Sequence, residues 1–533
     1  MTGSDVTHFR LEAGDGDDQD VVFEGPGDVA VTIADTTAQD VVISNARTAH
    51  IMVTGSHVAS LRVSSVDLLD LQLIACRING ELDVRNVASA HGPGSILMEE
   101  VTIDGELRLE SATLVSLDVA HCNFGANLWI RRVTLLPATP VVLSSCVFEQ
   151  RVWITGGFKV APEAGSGSRL RKGTPFLDLR QNEFRAAAAI SLELSAPDEG
   201  TATTSLRGSV WSGGTRLQAN CGDGVIDLRD IRVDGRSGIR LEGGGAARAS
   251  LARAEFLSGA DLRVEGLSLD ASGSAFRAGG RIASDSAVDC SDATFGQTTL
   301  IRANDLGGST ASAPVILSLQ RADVTNLTLQ RVDLRRCRFA GAIGLDSAII
   351  ETPADLWCRR RHRRSIADED GLRVTRIGTG PAWEAAARPK AAVVAAAYRQ
   401  LRKGRESTKD EPGAADFYYG EMDMRRLGAA RWSLERFLLS AYWAMSGYGL
   451  RAWRALISLV AVVVVGGIAL AHGGLERTGS LWMGLLSSTE IATLRSTTEK
   501  LTTDGRVLAV PLRILAPLIF VQLVLALRSQ VRR

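Results

Sequence analysis

The chain lacks the short signatures by which common enzyme classes announce themselves. Its 533 residues contain no Gly-x-Ser-x-Gly elbow, no Walker loop, no His-Glu-x-x-His and no dinucleotide fingerprint, so acyl-transfer, nucleotide, zinc-protease and hydride chemistry each lose their usual anchor. The seven cysteines show no Cys-x-x-Cys spacing and the histidines form no pairs, which removes the common zinc patterns. The opening stretch MTGSDVTHFRLEAGDGDDQD has neither a basic n-region nor an apolar h-region, so it does not read as a signal peptide. Net charge is also missing, with 60 basic and 60 acidic residues. No catalytic residue, cofactor or metal is therefore assigned, and an enzyme is not expected.

What the chain has is a beat of five. A large apolar residue recurs at Leu319, Val324, Leu329, Leu334 and Phe339, and a second, mostly smaller one precedes each by two places: Leu317, Ala322, Leu327, Val332 and Cys337. Neither a helix nor an ordinary strand sustains that period. The beat returns with changes of phase at Val63, Leu68, Leu73 and Ile78, at Leu109, Leu114, Val119 and Phe124, and at Leu143, Phe148 and Trp153. Shorter echoes are Leu179 and Phe184, Leu228 and Val233, Leu251 and Phe256, and Cys290 and Phe295. A chain that turns every five residues makes four short sides per coil of roughly twenty residues, and coils stacked about 4.8 Å apart bond to those above and below.

Stretches such as RADVTNLTLQRVDLRRCRF (321–339), LARAEFLSGADLRVEGL (251–267) and SDATF (291–295) resemble the pentapeptide-repeat family. The resemblance implies a mainly β protein, a right-handed quadrilateral β-helix, here over residues 23–351. It is clear over 317–350 and degenerate elsewhere, where insertions at 159–175 and 305–314 break the count; a generic all-β solenoid is the alternative. Cys76, Cys122, Cys146 and Cys337 fall on the small inward position, which makes them buried hydrophobes and suits a reducing compartment.

Charge divides the chain. Residues 1–350 carry 43 acids against 32 bases and residues 351–533 carry 17 against 28. Acidity peaks at Asp15, Asp17, Asp18 and Asp20, so residues 1–22 read as an acidic tail or cap. Residues 352–388 read as a basic linker whose run Arg359, Arg360, Arg361, Arg363 and Arg364 offers contact to anionic lipid. Nucleic acid is the weaker reading, because no aromatic interleaving or binding motif accompanies the charge.

Helical periodicity follows over 389–450, with one helix from Ala391 to Arg405 and another from Gly413 to Leu427 forming a hairpin through Tyr398, Leu401, Phe417, Tyr418, Met422 and Met424. The words Tyr398-Arg399-Gln400-Leu401 and Phe417-Tyr418-Tyr419-Gly420-Glu421-Met422 resemble the segment after the repeats in membrane-bound pentapeptide-repeat proteins of actinobacterial type.

Residues 451–533 read as a transmembrane hairpin with spans 455–475 and 507–527. Twenty-one uncharged residues rise about 31 Å, the thickness of a bilayer core. Pro511, Pro517 and Arg513 interrupt the second span. The basic flanks place both ends of the hairpin in the cytoplasm and residues 476–506 outside, so the expected location is the plasma membrane, multi-pass, with a cytoplasmic solenoid and C-terminus. Residues 480–494 between the spans read as a re-entrant or interfacial helix. Span, short helix, span is similar to the pore module of two-transmembrane cation channels, although Thr489-Glu490-Ile491-Ala492-Thr493-Leu494 stands where a carbonyl filter would fall.

Three functional readings follow. The first is a membrane-anchored scaffold offering a β-helix to a cytosolic protein partner. The second is a channel-like homo-oligomer lined by Ser487, Ser488, Thr489, Glu490, Thr493 and Arg513. The third is a DNA-mimicking β-helix of the gyrase-protecting kind, which rests on fold analogy and the acidic front.

Overall fold

A computed structural model describes residues 6–12, 19–88, 94–135, 141–160, 177–195, 203–304, 313–360, 363–374, 389–476 and 480–531. The chain divides into two compact units, Met1–Arg338 with Ala342–Leu356, and Phe339–Gly341 with Trp357–Arg533. Asp15, Asp17, Asp18, Arg361 and most of the two expected insertions lie outside the described residues.

The first unit is a parallel β-solenoid of about 13 turns. Its registers give the coil length directly: Val31 pairs with Ile51 and Ile51 with Leu71, twenty residues apart each time. The coil stretches to 36 residues between Val152 and Ala188 and to 28 between Thr299 and Leu327, where the insertions fall. The first coil already includes Val6–Glu12, within the segment expected as tail or cap, and Gln19–Glu24, which crosses its end, and these strands pair with Asp28–Ala34 and Thr37–Ser44.

The beat fills the shaft. Leu61, Val63, Leu68, Leu71, Leu73 and Ile78, then Ala112, Leu114, Leu117 and Phe124, then Val324, Leu329, Leu334 and Cys337 are all buried. One register column carries the rings: Phe124, Phe148 and Phe184 stack at 5.0 and 4.9 Å, and Phe256, Phe276 and Phe295 at 5.0 and 5.6 Å. Each buried Phe contributes roughly 1.5–3 kcal/mol relative to exposure, and stacking in register adds to it. All seven cysteines are free and six are buried, Cys358 being half-buried.

Two members of the beat point the other way. Leu317 is 37% exposed, because the pairing Val288–Ile316 is followed by Asp289–Ser318 across a register shift, so a bulge turns Ile316 inward and Leu317 out. Trp153 also faces outward, with Val152 and Ile154 buried on either side of it. The corner after Phe148 holds one residue more than the beat allows, and Trp153 instead stacks on Trp129 outside the shaft at 3.9 Å.

Corners have their own code. Left-handed residues recur every tenth position in the early coils, at Asp35, Asn45, Gly55, Ser65 and Ala75. Later, Asp178, Ser205, Asp227, Ser250, Asp270, Asp289 and Ser318 share one register column. Three residues after each comes a positive φ, at Gln181, Gly208, Asp230, Arg253, Gly273, Asp292 and Arg321. The Asp carboxylates accept from the amide two places on, at 3.1 Å from Arg229, 3.0 Å from Ser272 and 2.9 Å from Ser291, which fixes each turn locally.

The second unit is helical. Helix α1 spans Ala367–Val374, α2 Ala391–Ser407, α3 Glu411–Gly428, α4 Leu434–Ser446, α5 Ala452–Ala469, α6 Leu481–Ala492 and α7 Thr503–Val531. Helices α2 and α3 pack through Tyr398, Leu401, Phe417, Met422 and Met424, all buried, while Tyr418 is half-buried. Phe339, the last member of the beat, stacks on Trp357 at 6.0 Å, and Trp357 meets Phe417 at 5.2 Å. The described part of the expected linker is folded, as an antiparallel hairpin Cys358–Arg360 with Arg363–Ser365 followed by α1.

Candidate functional site

Among its described residues the arginine run does not form a free cationic face. Arg363 is buried, and its Nη2 donates to both carboxylate oxygens of Glu369 at 2.7 Å. Arg373 donates to the same carboxylate at 2.9 Å, and the Tyr398 hydroxyl donates at 2.6 Å. Burial, with Glu369 alongside, pushes the Tyr398 phenol well above its ordinary value. Arg360 reaches Asp370 at 2.7 Å and Arg364 reaches Asp410 at 2.7 Å. Arg359 makes no such pair among the described residues and is exposed. The expectation of a lipid-facing run is thus corrected for Arg363, whose charge is spent inside the fold, and Arg360 and Arg364 are matched by acids.

This ionic network runs on toward α5. Asp423 of α3 receives Arg373, Arg426 and the Tyr448 hydroxyl, the last at 3.4 Å. Tyr448 sits in an elbow between α4 and α5 where Gly447, Tyr448 and Gly449 all have positive φ, at 56°, 61° and 74°. A collar of rings and guanidinium groups surrounds the elbow: Arg426 and Arg454 lie 4.5 and 4.8 Å from the Trp443 ring, and Arg451 lies 5.6 Å from Tyr419.

Beyond the collar stand two helices long and apolar enough to cross a membrane, Ala452–Gly474 and Thr503–Arg528. The first is uncharged beyond Arg454 and ends in a π-helical turn, Leu470–Gly474. At 1.5 Å per residue its 23 residues rise about 34 Å. Between them α6 packs at near-backbone contact, leaving no room for a Cβ on Gly484 beside the Gly467 carbonyl oxygen, and the start of α7 does the same where Gly505 meets the carbonyl of Gly474. Small residues at such crossings are what apolar helix bundles use to approach closely. Leu470, Leu475, Ile491, Ala509 and Leu512 fill the centre.

The six residues expected around a pore are dispersed. Ser487 and Ser488 are both buried, and the Ser488 hydroxyl donates to the Val463 carbonyl of the chain's own α5 at 2.8 Å. Glu490 is tied down locally, accepting from the Thr498 amide at 2.9 Å. Thr489 and Thr493 alone come together, on a cleft of about 410 Å³ also lined by Leu459, Val463, Pro517 and Phe520. Arg513 lies apart from them, exposed on α7. Gly466 lies against Ser488 and Leu512, which leaves room for the Ser488 side chain on the inner side.

No family model, curated protein or solved structure matches this chain.

Proposed function

We propose that this protein is a membrane-anchored scaffold of the pentapeptide-repeat kind, held by α5 and α7 in the plasma membrane and offering its solenoid to a cytosolic protein partner. The observation that carries the reading is the outer surface of the two helices. Leu456, Ile457, Val460 and Val465 on α5 are 51, 58, 52 and 65% exposed, and Val507, Ile514, Phe520 and Val521 on α7 are 68, 61, 55 and 56% exposed. Soluble monomers seldom present apolar patches beyond a few hundred Å² to water, whereas lipid covers such a surface at no cost. Arg451 just before α5, Arg454 in its first turn and Arg528 near the end of α7 support cytoplasmic ends by the positive-inside rule.

Scaffolding is supported by where the chemistry lies. The inward positions are mostly apolar, and the outward ones carry paired charges such as Arg253 with Asp230 and Arg321 with Asp292, a surface for a protein partner more than for a small substrate. A channel-like homo-oligomer loses support once Ser487 and Ser488 are committed inside one chain. Washing native membranes with alkaline carbonate tests the anchor. The full chain should stay with the sedimented membranes, and release into the supernatant would refute it.

A further inference from the structure

Helix α4 wears its apolar residues on the outside. Trp432, just before it, is 92% exposed, and Leu434, Phe437 and Leu438 are 71, 69 and 56% exposed. Spacings of three and four align the last three in one stripe. Trp443 and Ser446 turn inward instead: the Trp443 indole donates to the Tyr419 hydroxyl at 2.9 Å, and the Ser446 hydroxyl to the Tyr442 carbonyl at 3.3 Å.

What covers that stripe follows from where α4 ends. The Arg454 guanidinium donates to the Trp443 carbonyl at 3.3 Å, and the Ser458 hydroxyl donates to the Met445 carbonyl at 3.0 Å. The C-terminal end of α4 is therefore fixed beside the first two turns of α5, the level at which a span passes from headgroups to acyl chains. Arg451 and Arg454 stand there on aromatic faces, and among the described residues neither forms an ion pair with a carboxylate. Cationic groups without acidic partners at that depth are complementary to lipid phosphates, and exposed Trp453 is placed as an interfacial anchor.

We propose that α4 is an in-plane helix bedded in the phospholipid interface, its Trp432, Leu434, Phe437 and Leu438 side chains among the upper acyl carbons and Arg451 and Arg454 on lipid phosphates. The proposal rests on the membrane reading of α5. A helix with one apolar and one polar face lies in this plane with its apolar side buried about 5–10 Å. Three consecutive left-handed residues at 447–449 supply the sharp change of direction from the membrane plane into the span.

The test uses the full chain in phosphatidylethanolamine–phosphatidylglycerol vesicles, in a Cys358→Ser background whose other cysteines are buried. Phe437→Cys, Leu438→Cys and Val460→Cys each carry an environment-sensitive fluorophore, challenged with aqueous iodide and with nitroxide lipids labelled at shallow or deep acyl positions. Labels at 437 and 438 should be quenched several-fold more by the shallow lipid nitroxide than by iodide, and the label at 460 by the deep one. If 460 responds to the deep quencher while 437 and 438 respond to iodide, α4 lies in water and the proposal falls while the span stands. Shielding of 437 and 438 from every quencher would mean that a second copy covers the stripe, again overturning it. A label at 460 open to iodide would defeat the anchoring reading itself.

Discussion

Phe148 and Trp153 are five residues apart on the same beat, and they meet opposite fates. Phe148 is 1% exposed between Phe124 and Phe184, whereas Trp153 lies outside the shaft on Trp129. Phe148→Ala should cost about 3–5 kcal/mol, the usual price of a large cavity, while Trp153→Ala should cost about 1 kcal/mol for a lost surface stack. Thermal unfolding of the two variants side by side checks the difference, and equal losses would mean that Trp153 is also core. The beat revealed residue type at most inward sites because the shaft is filled mainly by apolar side chains, Asn182, Ser209 and Thr299 being buried polar exceptions. It could not reveal a corner lengthened by one residue or the bulge that expels Leu317, since both leave the apolar count unchanged. Cys76 makes a second case at this scale. Burial pushes its thiol up to about 12, so at pH 8 it stays protonated and non-nucleophilic. Thiol reagents should leave Cys76 unmodified in the native chain and modify it in denaturant; rapid native labelling would contradict its place in the shaft.

At the level of elements, long-range pairing decides what a local run of charge means. Five arginines within six positions read as a cationic face, yet Arg363 finds Glu369 and Arg364 finds Asp410, 46 residues downstream. No local pattern announces a partner that distant. Glu369 is fully buried among Arg363, Arg373 and Tyr398, so Glu369→Ala strands buried cations and should destabilise the helical unit by about 3–5 kcal/mol. Limited proteolysis between α1 and α3 should accelerate in that variant, and an unchanged cleavage rate would deny the network a structural role. The helices themselves were legible to within a few residues, because helical periodicity and the Pro412-Gly413 break are local signals. Helix α4 was not separated from the hairpin, for its exposed apolar stripe looks like core until the structure shows none of the described residues covering it. The turn column Asp178 to Ser318 likewise escaped a reading keyed to apolar residues alone, though its Asp and Ser recur in step with the coil.

Solenoid corners respond to acid in a predictable direction. Arg253 and Arg207 hold the Asp230 carboxyl below its ordinary value, and Arg321 does the same for Asp292. A carboxylate with a lowered folded pKa binds fewer protons when folded than when unfolded, so its contribution is complete above about pH 4 and is lost as pH falls through the folded value. These pairs are largely exposed and each is worth no more than about 1 kcal/mol. Melting temperature should therefore decline modestly between pH 5 and 3, and less steeply in Asp230→Asn. A decline of equal slope in that variant would remove the pair from the account.

On the scale of the whole molecule, a solenoid built for repetition is joined to a helical unit that ends in two apolar helices. The fold class and both candidate spans were readable from period and hydropathy, since each repeats a simple physical requirement many times. The candidate site was readable only in outline: the hydroxyl-rich stretch 487–493 looked like a lining, but Ser487 and Ser488 are buried, the latter against Gly466 of α5. The central claim is that the chain crosses a bilayer twice, with the loop between α6 and α7 on the opposite side from α2. Labelling with an impermeant thiol reagent in intact cells tests it most directly, using Thr493→Cys, exposed after α6, and Lys403→Cys, exposed on α2. Thr493→Cys should react in intact cells and Lys403→Cys only after lysis. Reaction of both positions from the same side would contradict the two crossings, and the reverse pattern would invert the orientation.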